Sequence, residues 1–204
     1  AAIKKSYSVD YLADGVDMTV AVSHSVSDLR LLTLSVNAKA DATTSFGDMT
    51  TQLLLGHLPA FMNLNARRVC VIGLGSGMTI ASLARHPQIE RIDCIEISEE
   101  VIRANEYFAP FCDDALNLDP RIHVIRNDGR NHLLLTDEKY DLIISEPSNP
   151  WIAGVANLFT REFFQICEQR LQPGGVFCLW LQGYTISIDN FRLVTRTLGD
   201  PFPF

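Results

Sequence analysis

Val69-Cys-Val-Ile-Gly73-Leu-Gly75-Ser-Gly77 decides the fold: an apolar, β-branched run enters a turn carrying three glycines and leaves as a helix over 78–85. A strand without polar alternation belongs in a sheet that is covered on both faces. The unit recurs downstream, with apolar runs at 91–97 and 122–125 and a helical pattern at 99–108 between them, so the order is βαβαβ. A fourth strand reads at 140–145, a helix at 159–171, a Gln172-Pro-Gly-Gly175 turn into the apolar run 176–181, and a last helix at 188–198. Upstream, 17–23 and 29–36 read as an antiparallel hairpin, and leucines at helical spacing over 48–62 lead into the sheet. The expected architecture is α/β: a small N-terminal β-hairpin element over 1–46, then a Rossmann-like, mostly parallel sheet flanked by helices over 47–204. Ligands of such sheets bind at the carboxyl ends of the strands.

The chain has 204 residues, 47% of them hydrophobic, which is enough for one substantial core. Seventeen basic against 24 acidic residues give a net charge of -7, which argues against an electrostatic nucleic-acid binder. Five cysteines without a CxxC pair, mostly in apolar runs, read as buried thiols in a reducing compartment, with no disulfide framework and no zinc site. No histidine spacing suggests a metal. No apolar stretch approaches the roughly 20 residues that span a bilayer, and no signal pattern opens the chain, so the sequence as given reads as soluble and cytoplasmic. It starts at Ala1 and stops just after a helical pattern, so it reads as a domain cut from something longer and truncated at the C-terminus.

Glycines 73, 75 and 77 let a ligand approach the backbone of a strand-to-helix turn, where helix amides are available as donors. The spacing is GxGxG; the third glycine falls one position early for a dinucleotide site and suits the loop against which cofactors of the S-adenosylmethionine (AdoMet) type lie. A tight turn without a ligand is the alternative. Glu96 ends the next strand, where a carboxylate can accept both hydroxyls of a ribose; a solvated strand-end glutamate is the alternative. Asn127-Asp128-Gly129 closes the third strand, and an Asp there can accept an adenine amine, although the triplet alone is more often an ordinary turn or helix cap. Ser145-Glu146-Pro-Ser-Asn149-Pro-Trp151 follows the fourth strand and sets Glu146 where a general base or a cation-binding carboxylate would stand. Trp180 reads as core, and Tyr184 as a lining residue of the acceptor side.

Together these segments resemble the spermidine/spermine synthase family, the polyamine aminopropyltransferases, within the class I AdoMet-dependent methyltransferase fold. The resemblance runs over 17–198 and is carried by Gln52 with His57-Leu-Pro59, the Gly73–Gly77 loop, Cys94-Ile-Glu96-Ile, Asn127-Asp-Gly129, Tyr140-Asp-Leu-Ile-Ile144, Leu158-Phe-Thr160 with Glu162-Phe163, and Leu171-Gln-Pro-Gly-Gly175. Val71 stands where many ordinary methyltransferases have an acid. The resemblance implies that Gln52 contacts the nucleoside, Glu96 the ribose and Asp128 the adenine, with Asn127 and Gly129 beside it.

The departures fall at the reacting end. The family's loop reads GGGDGG, and its Asp binds the amino group of decarboxylated AdoMet; here that position is Ser76. The family's D-S/T-S/T-D-P loop becomes Glu146 for the catalytic Asp and Asn149 for the Asp that grips the acceptor, and a tyrosine becomes Thr51. Loss of two carboxylates weakens a diamine's hold, and Ser76 removes a charge that repels the carboxylate of intact AdoMet. The resemblance implies a transferase using AdoMet or decarboxylated AdoMet as co-substrate without a metal, with an amine or other nucleophile as acceptor, Glu146 as base, and Asn149, Tyr184 and His57 on the substrate side. Methyl transfer from AdoMet and a non-catalytic nucleoside-binding domain are the alternatives. The family commonly dimerises through N-terminal strands, and a divergent branch is fused to membrane-spanning segments.

Overall fold

The computed structural model describes residues 6–16, 18–148, 154–183 and 186–202. The chain opens with a four-stranded antiparallel sheet, β1 (Tyr7–Asp14), β2 (Thr19–Ser25), β3 (Asp28–Val36) and β4 (Lys39–Thr43), in that spatial order. The expected hairpin is its centre, β2 and β3. A strand adds on each side that the sequence pattern does not announce. β1 is exposed along most of its length, so its short alternation of Tyr7, Val9 and Tyr11 marks no core face, and β4 (KADAT) carries only small apolar residues. Asn37 and Ala38, with φ of 50° and 62°, make the tight turn from β3 to β4.

Helix α1 (Phe46–Met62) connects this sheet to a five-stranded parallel one: β5 (Arg68–Ile72), β6 (Arg91–Glu96), β7 (Ile122–Arg126), β8 (Tyr140–Ser145) and β9 (Leu171–Leu179), in the order β7-β6-β5-β8-β9. The intervening helices are α2 (Met78–Ala84), α3 (Glu99–Ala104), α4 (Ala115–Leu118), α5 (Gly129–Leu135) and α6 (Arg161–Arg170), with α7 (Ile188–Gly199) following β9. Successive residues of β5 point to opposite faces. Val69 and Val71 join Ile80, Leu83, Leu142 and Ile144 in a core continuous with Val20, Val22 and Leu34 of the first sheet. Cys70 and Ile72 join Leu133, Ile143, Phe163 and Phe164 in the other. The sheet is thus covered on both faces, as its largely apolar strands require.

Several boundaries differ from the sequence reading. The pattern at 99–108 splits into α3 and a 3-10 segment, Asn105–Phe111, which contains Pro110. α4 and α5 are additional: α5 forms because Asp128 caps it, accepting the Asn131 N–H at 2.7 Å, and seven residues are too few to show a period. The helix expected at 159–171 is a 3-10 turn, Val155–Phe159, followed by α6. The Gln172–Gly175 turn lies inside β9, as an irregularity between the Tyr140–Leu171 and Leu142–Val176 pairs.

The strand order reverses at β5, whose neighbours are β6 and β8, and this is the switch point at which open parallel sheets leave a crevice. At that point the backbones after β5 and β8 nearly touch. A Cβ on Gly73, whose φ is +99°, would lie 2.9 Å from the Glu146 carbonyl oxygen, so only glycine fits.

Candidate active site

A cavity of about 1200 Å³ occupies this crevice, floored by the ends of β5, β6 and β8 and roofed by the β3–β4 turn and the first turns of α1. Gln52, Gly73, Gly75, Ser76, Glu96, Asn127, Asp128, Gly129 and Glu146 all line it, so most of the residues singled out from sequence converge from five separate segments.

Glu96, 8% exposed, lies along the glycine loop. Its Oε2 accepts the Leu74 N–H at 3.0 Å and its Oε1 the Ser98 N–H at 2.8 Å. Burial raises its pKa, and those amide bonds oppose the rise. A carboxylate held by backbone on both oxygens is a rigid acceptor, the property that ribose hydroxyls require. Gln52 is less free than the sequence suggests: its Oε1 accepts the Ser76 hydroxyl and its Nε2 donates to the Thr43 carbonyl at 3.2 Å. Ser76 is buried, 1% exposed, with that hydroxyl committed to Gln52. Asp128 caps α5, the alternative reading of its triplet, and also lines the cavity.

Glu146 begins the loop after β8, its N–H bonded to the Ile72 carbonyl at 2.9 Å. Its Oε1 accepts the Thr79 hydroxyl at 2.8 Å. Burial pushes its pKa up to about 7; the Thr79 bond works against that, and the negative charges of Asp48 and Asp41 add to it. Thr79, Asp41 and Asp48 line the same cavity and are absent from the sequence reading. Thr79 had a signal, a hydroxyl in the first turn of the helix after the glycine loop. The two aspartates had none, because strand β4 that carries Asp41 was not visible and Asp48 reads as an ordinary first-turn acid of α1. Lys39 is the one basic side chain among the described lining residues, 3.8 Å from Asp41. Ser148 donates to Asp41 at 2.6 Å, joining the post-β8 loop to the first sheet.

Three sequence assignments are corrected. His57 does not line the cavity: five residues beyond Gln52 on α1, it is turned by about 140° around the helix, and its Nδ1 meets Nε2 of His86 at 2.9 Å. Gly77 lies behind the loop, starting α2 with φ +82° and packing against Asn105 and Leu116. Trp180 lines the cavity instead of filling the core, because β9 ends at Leu179. Asn149, Trp151 and Tyr184 lie outside the described residues. All five cysteines are free thiols, and the group of Asp137, Glu138 and Lys139 is exposed.

Comparison with known proteins decides the family: a model of the spermine/spermidine synthase domain matches residues 49–203. The chain belongs to the spermine/spermidine synthase family. Putrescine N-methyltransferase 2 of Nicotiana attenuata is 33% identical over 171 residues, covering 80% of this chain and 45% of that protein. Polyamine aminopropyltransferase 1 of Pseudomonas aeruginosa is 33% identical over 134 residues, covering 66% and 46%. The chain spans about half the length of the curated relatives it matches. A spermidine synthase solved in complex with the transition-state analogue AdoDATO superposes with a TM-score of 0.87 at 23% identity, over 96% of this chain and 66% of that one. The Thermotoga maritima spermidine synthase gives 0.84, over 96% and 65%. These spermine/spermidine synthase family structures share the fold described above, the class I AdoMet-methyltransferase type. No helix among the described residues is long and apolar enough to cross a membrane.

Proposed function

We propose that this chain is the catalytic part of a transferase that binds decarboxylated AdoMet and passes its aminopropyl group to an amine, with Glu146 as general base. One observation carries the reading: Glu146, with a pKa of about 7, shares a single cavity with the backbone-held carboxylate Glu96 and the glycine loop. The acceptor nitrogen must be neutral to attack. Its lone pair forms the C–N bond as the C–S bond breaks, the electron pair stays on sulfur as a neutral thioether, and the nitrogen's extra proton passes to ionised Glu146. A base that titrates near the working pH suits this step. Holding nitrogen, carbon and sulfur in line supplies much of the remaining acceleration. Asp41 and Asp48, against one lysine, keep the acceptor end electronegative, which favours a cationic amine.

Methyl transfer from intact AdoMet is the second reading, and Ser76 favours it. Where the family resemblance gives an Asp for the donor's amino group, this chain has a buried neutral side chain bonded to Gln52. The 33% identity to a putrescine N-methyltransferase supports the same alternative. Calorimetric titration with each donor separates the two. A preference of tenfold or more for decarboxylated AdoMet, about 1.4 kcal/mol, supports aminopropyl transfer; the reverse preference assigns methyl transfer; binding of neither removes the transferase reading.

A further inference from the structure

The glycine loop is the part of the donor site with the least shape of its own. Gly73, Gly75 and Gly77 all have positive φ, of 99°, 51° and 82°, and glycine backbone holds such angles only as well as its contacts do. From the cavity side the loop is tied by the Leu74 N–H to Glu96 and the Ser76 hydroxyl to Gln52. Behind it lies a second cavity of about 550 Å³, whose walls include Asn105, Cys112, Leu116 and Asn117. Two buried side chains on that wall reach the loop: Asn105 Nδ2 donates to the Gly75 carbonyl at 3.2 Å, and Cys112 Sγ donates to the Ser76 carbonyl at 3.4 Å. Asn105 is 6% exposed and Cys112 3%.

We propose that Asn105 and Cys112 are positioning residues for donor binding, holding the Gly75 and Ser76 carbonyls from behind and so fixing the face the loop turns to the donor. The proposal rests on the reading of the large cavity as the donor site. In a trans peptide the C=O and the following N–H point in opposite directions, so drawing the Gly75 carbonyl toward Asn105 turns the Ser76 N–H away from it. The side-chain amide of Asn105 also lies flush on Gly77, 3.0 Å from where a Cβ would stand, which accounts for the third glycine. Burial pushes the Cys112 thiol up to about 12, so it keeps its proton and stays a donor at any working pH. The two residues bracket the 3-10 segment Asn105–Phe111, with Asn105 opening it and Cys112 following it.

The test uses the intact chain, wild type and the variants Asn105→Asp, Cys112→Ala, Cys112→Ser and Asn117→Ala, with AdoMet and decarboxylated AdoMet as probes in calorimetry. Asn105→Asp keeps the size but loses the donor, and is expected to weaken binding of the preferred donor about tenfold. Cys112→Ala is expected to weaken it about threefold, the thiol being a weak donor, and Cys112→Ser to restore it within about twofold. Asn117→Ala, on the same wall without a bond to the loop, is expected to bind as wild type. Hydrogen exchange of the Leu74–Gly77 amides in the ligand-free protein is measured alongside, and is expected to speed up in Asn105→Asp and Cys112→Ala only. Unchanged exchange and affinity in both would overturn the inference, as would a loss in Cys112→Ala that Cys112→Ser does not reverse. If wild type binds neither donor, the transferase reading fails, while the exchange data still decide whether these residues hold the loop. Should Asn105→Asp not fold, the Cys112 pair decides alone.

Discussion

Glu96 and Glu146 stand at the tips of the two strands that flank β5, line one cavity, and are both pushed up in pKa by burial, yet the protein treats them in opposite ways. Glu96 has a backbone amide on each oxygen. Glu146 has one hydroxyl bond, from Thr79, and faces the charges of Asp48 and Asp41. Backbone amides belong to the fold and cannot turn away, so Glu96 is a fixed acceptor. A single hydroxyl leaves the second oxygen of Glu146 available, and burial, with a smaller addition from the neighbouring carboxylates, makes its ionisation marginal near neutrality. Under the proposed function, the same side chain serves binding at one end of the cavity and proton transfer at the other.

The sharpest way to break this comparison is Glu146→Gln. Loss of a general base is expected to lower kcat about a thousandfold while leaving the donor dissociation constant unchanged; single-turnover rates beside calorimetry measure both, and turnover that survives removes Glu146 from the mechanism. Glu96→Gln tests the other end and is expected to reverse the pattern. One amide bond is lost and an NH2 faces an N–H donor, weakening donor binding by roughly tenfold to a hundredfold, with a lower melting temperature.

The pH dependence sharpens the contrast further. As the proposed base Glu146 acts when ionised, so kcat/KM is expected to fall as pH drops through about 7. Its folded-state pKa is raised from 4.5, so the folded state binds this proton more tightly than the unfolded chain does. That contribution to stability is complete below the unfolded value and is lost as pH rises from 4.5 to about 7, a change of roughly 3 kcal/mol. Thr79→Val removes a bond that favours the ionised form, and is expected to move the activity inflection upward by up to about one unit. An inflection that stays put would mean that the Thr79 bond does not tune Glu146. The smallest effect is expected at His57: bonded to His86 outside the cavity, it should leave donor affinity within about twofold of wild type when replaced by alanine, at a cost in stability near 1 kcal/mol.

How legible each part was follows from the range of the interactions behind it. Strands β5, β6 and β8 stood out because a strand buried on both faces is largely apolar, and Phe163 and Phe164 stood out as a buried helical face for the same reason. β1 and β4 were hard to see because the short Tyr7, Val9, Tyr11 alternation of an exposed edge strand marks no core face, and a strand of small residues has little hydrophobic pattern. His57 was misassigned because membership of a motif says nothing about which side of a helix a residue faces.

By itself the sequence determined the parallel sheet, the glycine turn that Gly73 makes possible, and the carboxylates at two strand tips, since these follow from local periodicity and from residues that only certain backbones tolerate. Only the tertiary structure decided that Asp41 and Asp48 share a cavity with Glu146, that Thr79 bonds one glutamate while the Leu74 and Ser98 amides hold the other, and that Asn105 and Cys112 stand behind the loop. Those are contacts between segments distant in the chain. A carboxylate's pKa and freedom depend on what surrounds it in space, and only the packing of the strands and helices supplies those surroundings.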